Sequence, residues 1–204
     1  MMEKEMKTLI CHGDSLTEAG ELDRRAIWPS LVETRIKMKV VNSGIGGDTT
    51  GGMLSRFYPS VLQHQPDFVL IMGGTNDVWW DLDLNLIRAN IFTMACQAEY
   101  HEIIPLVGLP LPMAVEKACR QDFAAPPGGY ERCVEKLEIL VKALTRSAEE
   151  NEIALLDFYH PFCDKTGNAI GSYFLEDGLH PNAAGHSLMA SITVDMLKER
   201  YHFT

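Results

Sequence analysis

The sequence predicts a three-layer α/β domain. Three observations carry that prediction: apolar runs of strand length recur along the chain, longer amphipathic stretches lie between them, and the two alternate throughout. Strands that alternate with helices imply βαβ units, parallel pairing and right-handed crossovers, which put helices on both faces of one sheet. A length of 204 residues, 46% of them hydrophobic, suits a single core and a single domain over 1–204.

The apolar runs are Thr8 to Cys11, Val40 with Val41, Phe68 to Met72, Ile103 to Val107 and Ile153 to Phe158, and they read as buried strands. The stretches between them, Ala26 to Lys37, Gly51 to Gln63, Leu84 to Tyr100 and Tyr130 to Glu150, read as helices. In the last, Val134, Leu137, Val141 and Leu144 repeat at helical spacing among charges, which predicts one buried face. A fifth helix follows Pro181, from about Ala183 to Arg200, with Asn182 as its cap. The segment 109–129 is the one long irregular stretch; Leu109, Leu111, Met113 and Phe123 make it either an apolar lid or an ordinary packed loop.

Composition narrows the function. Lys and Arg number 18 against 28 Asp and Glu, a formal net charge of -10, which disfavours binding to nucleic acid or to an anionic membrane. Five cysteines form no CxxC pair, so neither a disulfide framework nor a zinc ribbon is signalled and reduced thiols are expected. No run of 18 apolar residues predicts a membrane span, and MMEKEMKTLICHGDSL lacks the core of a signal peptide. A cytoplasmic protein without stable membrane insertion is the expectation.

Parallel sheets bind ligands beyond the carboxyl ends of their strands. There the chain carries Gly13-Asp14-Ser15-Leu16 after the first run and NSGIGGDTTGG, Asn42 to Gly52, after the second. GGTND, Gly73 to Asp77, follows the third run, and DGLHP, Asp177 to Pro181, lies beyond the fifth. Each cluster alone has a bland reading: Ser15 as a helix cap, the glycines as turn residues, Asn76-Asp77 as an Asx turn, Asp177-Gly178 as a tight turn. Together they supply what acyl transfer needs. A serine hydroxyl requires a base, and the base requires a third group to hold its tautomer. His180, three residues after Asp177, fits as that base, with Asp177 accepting from its other nitrogen. Amides at Ser15 and in the glycine loop, with the Asn76 carboxamide, are candidate donors to an oxyanion.

These four blocks resemble those of the SGNH hydrolases, also called GDSL esterases and lipases. GDSL is Gly13 to Leu16, the asparagine and glycine loop is NSGIGGDT, the GxND block is Gly74 to Asp77 and the DxxH block is Asp177 to His180. All four stand in family order and span most of the chain. The resemblance implies a single SGNH hydrolase domain with a flavodoxin-like sheet of five parallel strands, acting without metal or cofactor. It implies Ser15 as nucleophile, His180 as general base and Asp177 as the group that orients it. The Ser15 amide, the Gly47 amide (Gly46 as the alternative) and the Asn76 side chain would form the oxyanion hole. One departure is His12, where the family more often has an apolar residue; a packed or solvent-facing histidine is the expectation, with a group supporting the site as the alternative.

Rival readings fare less well. Histidines at 12, 64, 101, 160, 180, 186 and 202 invite a metal-dependent phosphoesterase, but no GDxxD or GNH block follows the first strands. A nucleotide-binding module lacks both GxGxxG and the GK[ST] lysine. The expected substrate is a small-molecule ester with a short-chain acyl or aryl group, with thioesters close behind, through an acyl-enzyme on Ser15. Carbohydrate O-deacetylation and lysophospholipid hydrolysis are the alternatives. Asp14, Trp79 and Trp80 are the candidate substrate contacts.

Overall fold

The computed structural model describes residues 6–121 and 125–203. Five strands, β1 (Thr8–Gly13), β2 (Lys39–Gly44), β3 (Phe68–Met72), β4 (Ile104–Gly108) and β5 (Ala154–Leu156), form one sheet in the order β2-β1-β3-β4-β5. Every pairing is parallel, with Leu9 beside Val40 and Phe68, and Leu70 beside Leu106. β3 is buried along its whole length, as a central parallel strand must be, whereas the edge strand β2 is half exposed and mixes polar with apolar residues.

The helices are α1 (Ser15–Glu18), α2 (Trp28–Arg35), α3 (Thr50–Ser55), α4 (Phe57–Ser60), α5 (Thr75–Trp79), α6 (Leu84–Tyr100), α7 (Val115–Ala118), α8 (Tyr130–Glu150) and α9 (Ala183–Tyr201). Alternation along the strands sorts them into two layers. Ile10, Val69, Ile71 and Val107 face a core built with Met53, Phe57, Ile91 and Leu140 of α3, α4, α6 and α8. Leu9, Cys11, Leu70 and Leu106 face the opposite core, with Trp28 and Val32 of α2 and Met189 of α9. The result is an α/β/α sandwich in the strand order of flavodoxin-like folds. Among the described residues, no helix is long and apolar enough to cross a membrane.

Several boundaries differ from the sequence expectation. The stretch Gly51 to Gln63 is three pieces, α3, α4 and a 3₁₀ turn at Leu62–His64. Pro59 has no amide hydrogen to continue the ladder back to Ser55, and Arg56 leaves helical geometry between the pieces. The helix expected over Ala26 to Lys37 is confined to Trp28–Arg35, with Pro29 in its first turn and an extended Ile36 ending it. β5 is shorter than Ile153 to Phe158 and ends at Leu156. α9 starts as expected, Asn182 accepting from the amides of Ala184 and Gly185. Segment 109–129 contains the single turn α7, and its Leu109, Leu111 and Met113 are buried in the two cores, as a packed loop rather than a lid surface. Phe123 lies outside the described residues.

Candidate active site

β1 is followed at once by the one-turn helix α1. Its cap is Asp14, not Ser15: Asp14 Oδ1 accepts from the Leu16 amide at 2.9 Å. The Ser15 hydroxyl is therefore not spent on the helix, and it donates to His180 Nε2 at 2.9 Å. The turn is held from both sides, by the Trp28 indole donating to Leu16 O at 3.0 Å and by Asn42 Nδ2 donating to Thr17 O at 2.7 Å.

Asp177 divides its two oxygens between backbone and ring. Oδ1 accepts from the amides of Leu179 and His180 at 2.8 and 3.0 Å, which folds the DxxH turn, while Oδ2 lies 2.8 Å from His180 Nδ1. Burial by itself would raise the Asp177 pKa, but the hydrogen bonds from the His180 backbone and ring and from the Leu179 amide outweigh it and hold the carboxyl below its ordinary value. An ionised carboxylate only accepts, so Nδ1 carries the hydrogen and Nε2 presents its lone pair to Ser15. The turn rests on segment 109–129, with the Ala114 amide donating to Gly178 O at 2.8 Å. Gly178 has φ +70 and runs so close to Ala114 O that an added Cβ would come within 2.4 Å.

The second block lies across the turn from the histidine. The amides of Ser15, Gly46 and Gly47 donate to no group among the described residues, so they are free to meet an anion. Gly46 abuts Ser15: a Cβ on it would sit 4.0 Å from Ser15 Cβ and 2.7 Å from Glu18 Oε2. Gly47 takes φ +75 with open space beside it. Asn76, at the start of α5, donates from Nδ2 to the Asp48 carbonyl at 2.9 Å, which orients the carboxamide and leaves its second N–H available. Asp77 beside it is buried, accepting from the Thr50 amide and hydroxyl, so it ties α5 to α3.

The structure thus joins Ser15, His180 and Asp177 in one chain of hydrogen bonds, with the glycine loop beside the serine. Of the expected substrate contacts, Asp14 is corrected: it is fully buried, as the cap of a turn packed under Ser15 has to be. Among the described residues its Oδ2 has no hydrogen-bond partner, and burial raises its pKa to about 7 despite the Leu16 amide and the nearby His180. Trp79 packs edge-on against Tyr130, and Trp80 is 61% exposed at the end of α5. His12 is buried on β1 between Met53 and Arg56, behind the site rather than in it. Spacing in the sequence gave no signal for Arg56 or Asp48, which pair at 2.7 Å beneath the glycine loop. Among the described residues no group of three or more His, Cys, Asp or Glu side chains is arranged to hold a metal.

Comparison with known proteins points to one family. The family model described as GDSL-like lipase/acylhydrolase matches residues 11–188. The arylesterase of Vibrio mimicus is 26% identical over 196 residues, covering 93% of this chain and 87% of that protein. An acetylxylan esterase of Geobacillus stearothermophilus is 26% identical over 174 residues, covering 81% of this chain and 73% of that protein. The crystal structure of the lipase/acylhydrolase from Enterococcus faecalis aligns with a TM-score of 0.78 at 25% identity, covering 98% of each chain.

Proposed function

The chain belongs to the GDSL-like lipase/acylhydrolase family and is a hydrolase acting on ester bonds, and from that premise we propose that it cleaves small carboxyl esters through an acyl-enzyme on Ser15. The observation that carries this reading is the relay from Asp177 through His180 to Ser15, at 2.8 and 2.9 Å. His180 Nε2 takes the Ser15 proton as Oγ attacks the ester carbonyl, and Asp177 holds the imidazolium that forms. The carbonyl oxygen, now an anion, would be met by the Ser15 amide, the Gly47 amide with Gly46 as the alternative, and the second N–H of Asn76. His180 then returns the proton to the departing alcohol, and water enters by the same base to release the acid.

Glu21 supports an uncharged leaving group. Its Oε1 lies 3.9 Å from His180 Nε2, the atom that protonates the departing alcohol, and Glu18 borders Gly46 on the other side. Carboxylates at this exit repel an anionic leaving group, which ranks aryl, alkyl and sugar esters ahead of acyl-CoA thioesters and lysophospholipids. The relatives named arylesterase and acetylxylan esterase fall among the ester classes placed first. The five free cysteines are in keeping with a reducing, cytoplasmic setting.

The test is a fluorophosphonate probe together with a hydrolysis panel of p-nitrophenyl esters of rising chain length, acetylated sugars and acyl-CoAs. One adduct on Ser15, absent in Ser15→Ala, and turnover that survives EDTA are the expected results. Labelling that persists in Ser15→Ala overturns the assignment. Glu21→Gln should raise acyl-CoA turnover relative to a neutral ester by about twofold to fivefold, the scale of an exposed charge contact. An unchanged ratio removes Glu21 from substrate selection.

A further inference from the structure

Arg56 sits between α3 and α4, with a side chain only 16% exposed, and spends its donors on three separate parts of the site. Nε donates to Asp48 Oδ2 at 2.7 Å, just past Gly46 and Gly47. Nη2 donates to Gly13 O at 2.8 Å, two residues before Ser15. Nη1 donates to Ser43 O at 2.9 Å, where β2 turns into the glycine loop, and also reaches Ser43 Oγ and His12 Nδ1 at 3.2 and 3.3 Å. Asp48 continues the connection, since its own carbonyl accepts from Asn76.

We propose that Arg56, paired with Asp48, is a positioning residue for acyl transfer: its guanidinium fixes the nucleophile turn and the glycine loop relative to each other, and so aims the oxyanion donors at Ser15. The inference rests on the acyl-transfer reading above. Its physical basis is that a planar fork of five N–H donors can hold several carbonyls and a carboxylate in one fixed geometry, which a lysine ammonium on a flexible stem cannot. A guanidinium never gives up its proton, so it stays a donor at every group it touches. His12 completes the arrangement as an acceptor. Burial first, and the Arg56 charge second, lower its pKa to about 4, so it is neutral. Its Nε2–H donates to Met53 O at 3.0 Å, which leaves Nδ1 to accept. A buried ion pair is a poor way to gain stability, because desolvation offsets much of the attraction. What it does supply is direction, and the directions here join the ends of β1 and β2 to the glycine loop, with Asn76 reached through Asp48.

The test measures kcat, KM and Tm for Arg56→Lys and Asp48→Asn with p-nitrophenyl acetate. Misplacing reacting groups by about 1 Å costs on the order of a hundredfold. Arg56→Lys should therefore lose about a hundredfold in kcat with KM changed by less than about twofold, because the donors act on the transition state and not on the bound ester. Asp48→Asn should show the same split with a smaller loss. Fluorophosphonate labelling of wild type at Ser15, and its absence in Ser15→Ala, tests the underlying reading separately. If that labelling stands and a folded Arg56→Lys turns over at the wild-type rate, the positioning role alone is overturned. Should Arg56→Lys fail to fold, Asp48→Asn decides, and wild-type kcat there is equally fatal. If neither folds, the cluster supports the fold rather than aims the donors, and the proposal falls.

Discussion

Ser15 is available for chemistry because Asp14 does the capping. At this boundary the sequence offers two residues that cap well, and nothing in their order says which will do so. The structure gives the task to Asp14 at the cost of burying a carboxyl whose second oxygen has no partner among the described residues. That cost has a measurable signature. The Asp14 pKa rises from 3.8 in the ordinary state to about 7 in the fold, so the neutral form favours folding. Its contribution is complete below about pH 4 and is lost as the pH rises through 7. Asp14→Asn keeps a capping oxygen and cannot ionise. Its stability relative to wild type should improve between pH 4 and 7, by at most about 4 kcal/mol, and level off above. Urea unfolding at three pH values checks this, and parallel curves would mean that Asp14 ionises normally. Ser15, the glycines, Asn76, Asp177 and His180 were legible as candidates because each lies within a short motif of fixed spacing. Arg56 and Asp48 were not, because their relation to Ser15 exists only after the strand ends have been brought together.

Among elements, long ones were legible and single turns were not. Leu84–Tyr100 and Tyr130–Glu150 match their sequence expectations because several turns of periodicity accumulate in each. α1, α5 and α7, of four or five residues, are too short to show a period at all, yet α1 and α5 carry Ser15 and Asn76. These turns are placed by close backbone contact. Gly44, the last residue of β2, lies under α1, where an added Cβ would stand 2.2 Å from the Glu18 amide nitrogen and 2.8 Å from Asp14 O. Those neighbours are main chain and cannot step aside. Gly44→Ala should therefore displace the nucleophile turn, lowering kcat by more than about tenfold together with a lower Tm. Gly20→Ala, whose methyl meets nothing within 4 Å, should leave both unchanged. Steady-state kinetics and a thermal melt on the pair check the argument, and equal behaviour would refute it.

For the molecule as a whole, each face of the sheet holds one buried neutral histidine. His12 lies against Phe57 in one layer, and His186 in α9 accepts from the Trp28 amide at 3.2 Å in the other. Burial lowers both to about 4, with Arg56 adding to the effect on His12 and His180 to that on His186. A group depressed in this way contributes stability that is complete above about pH 6.5 and is lost as the pH falls toward 4. Each is worth about 3 kcal/mol at most over that window, and Asp14 offsets part of it. His186→Asn, which keeps an acceptor for Trp28, should flatten the fall in unfolding free energy between pH 7 and 5, and an unchanged slope would place the acid sensitivity elsewhere. The three-layer architecture was legible because alternation of element types leaves few topologies open, and the meeting of Ser15 with His180, 165 residues apart, was legible only through the roles their motifs suggest. That separation has a consequence in time. Translation delivers Ser15 early and His180 late, so on the proposed acyl-transfer reading a nascent chain carries only an inert alcohol. The ability to cleave an ester is then a certificate of completed folding, and a population's specific activity counts the molecules whose first and last turns have met.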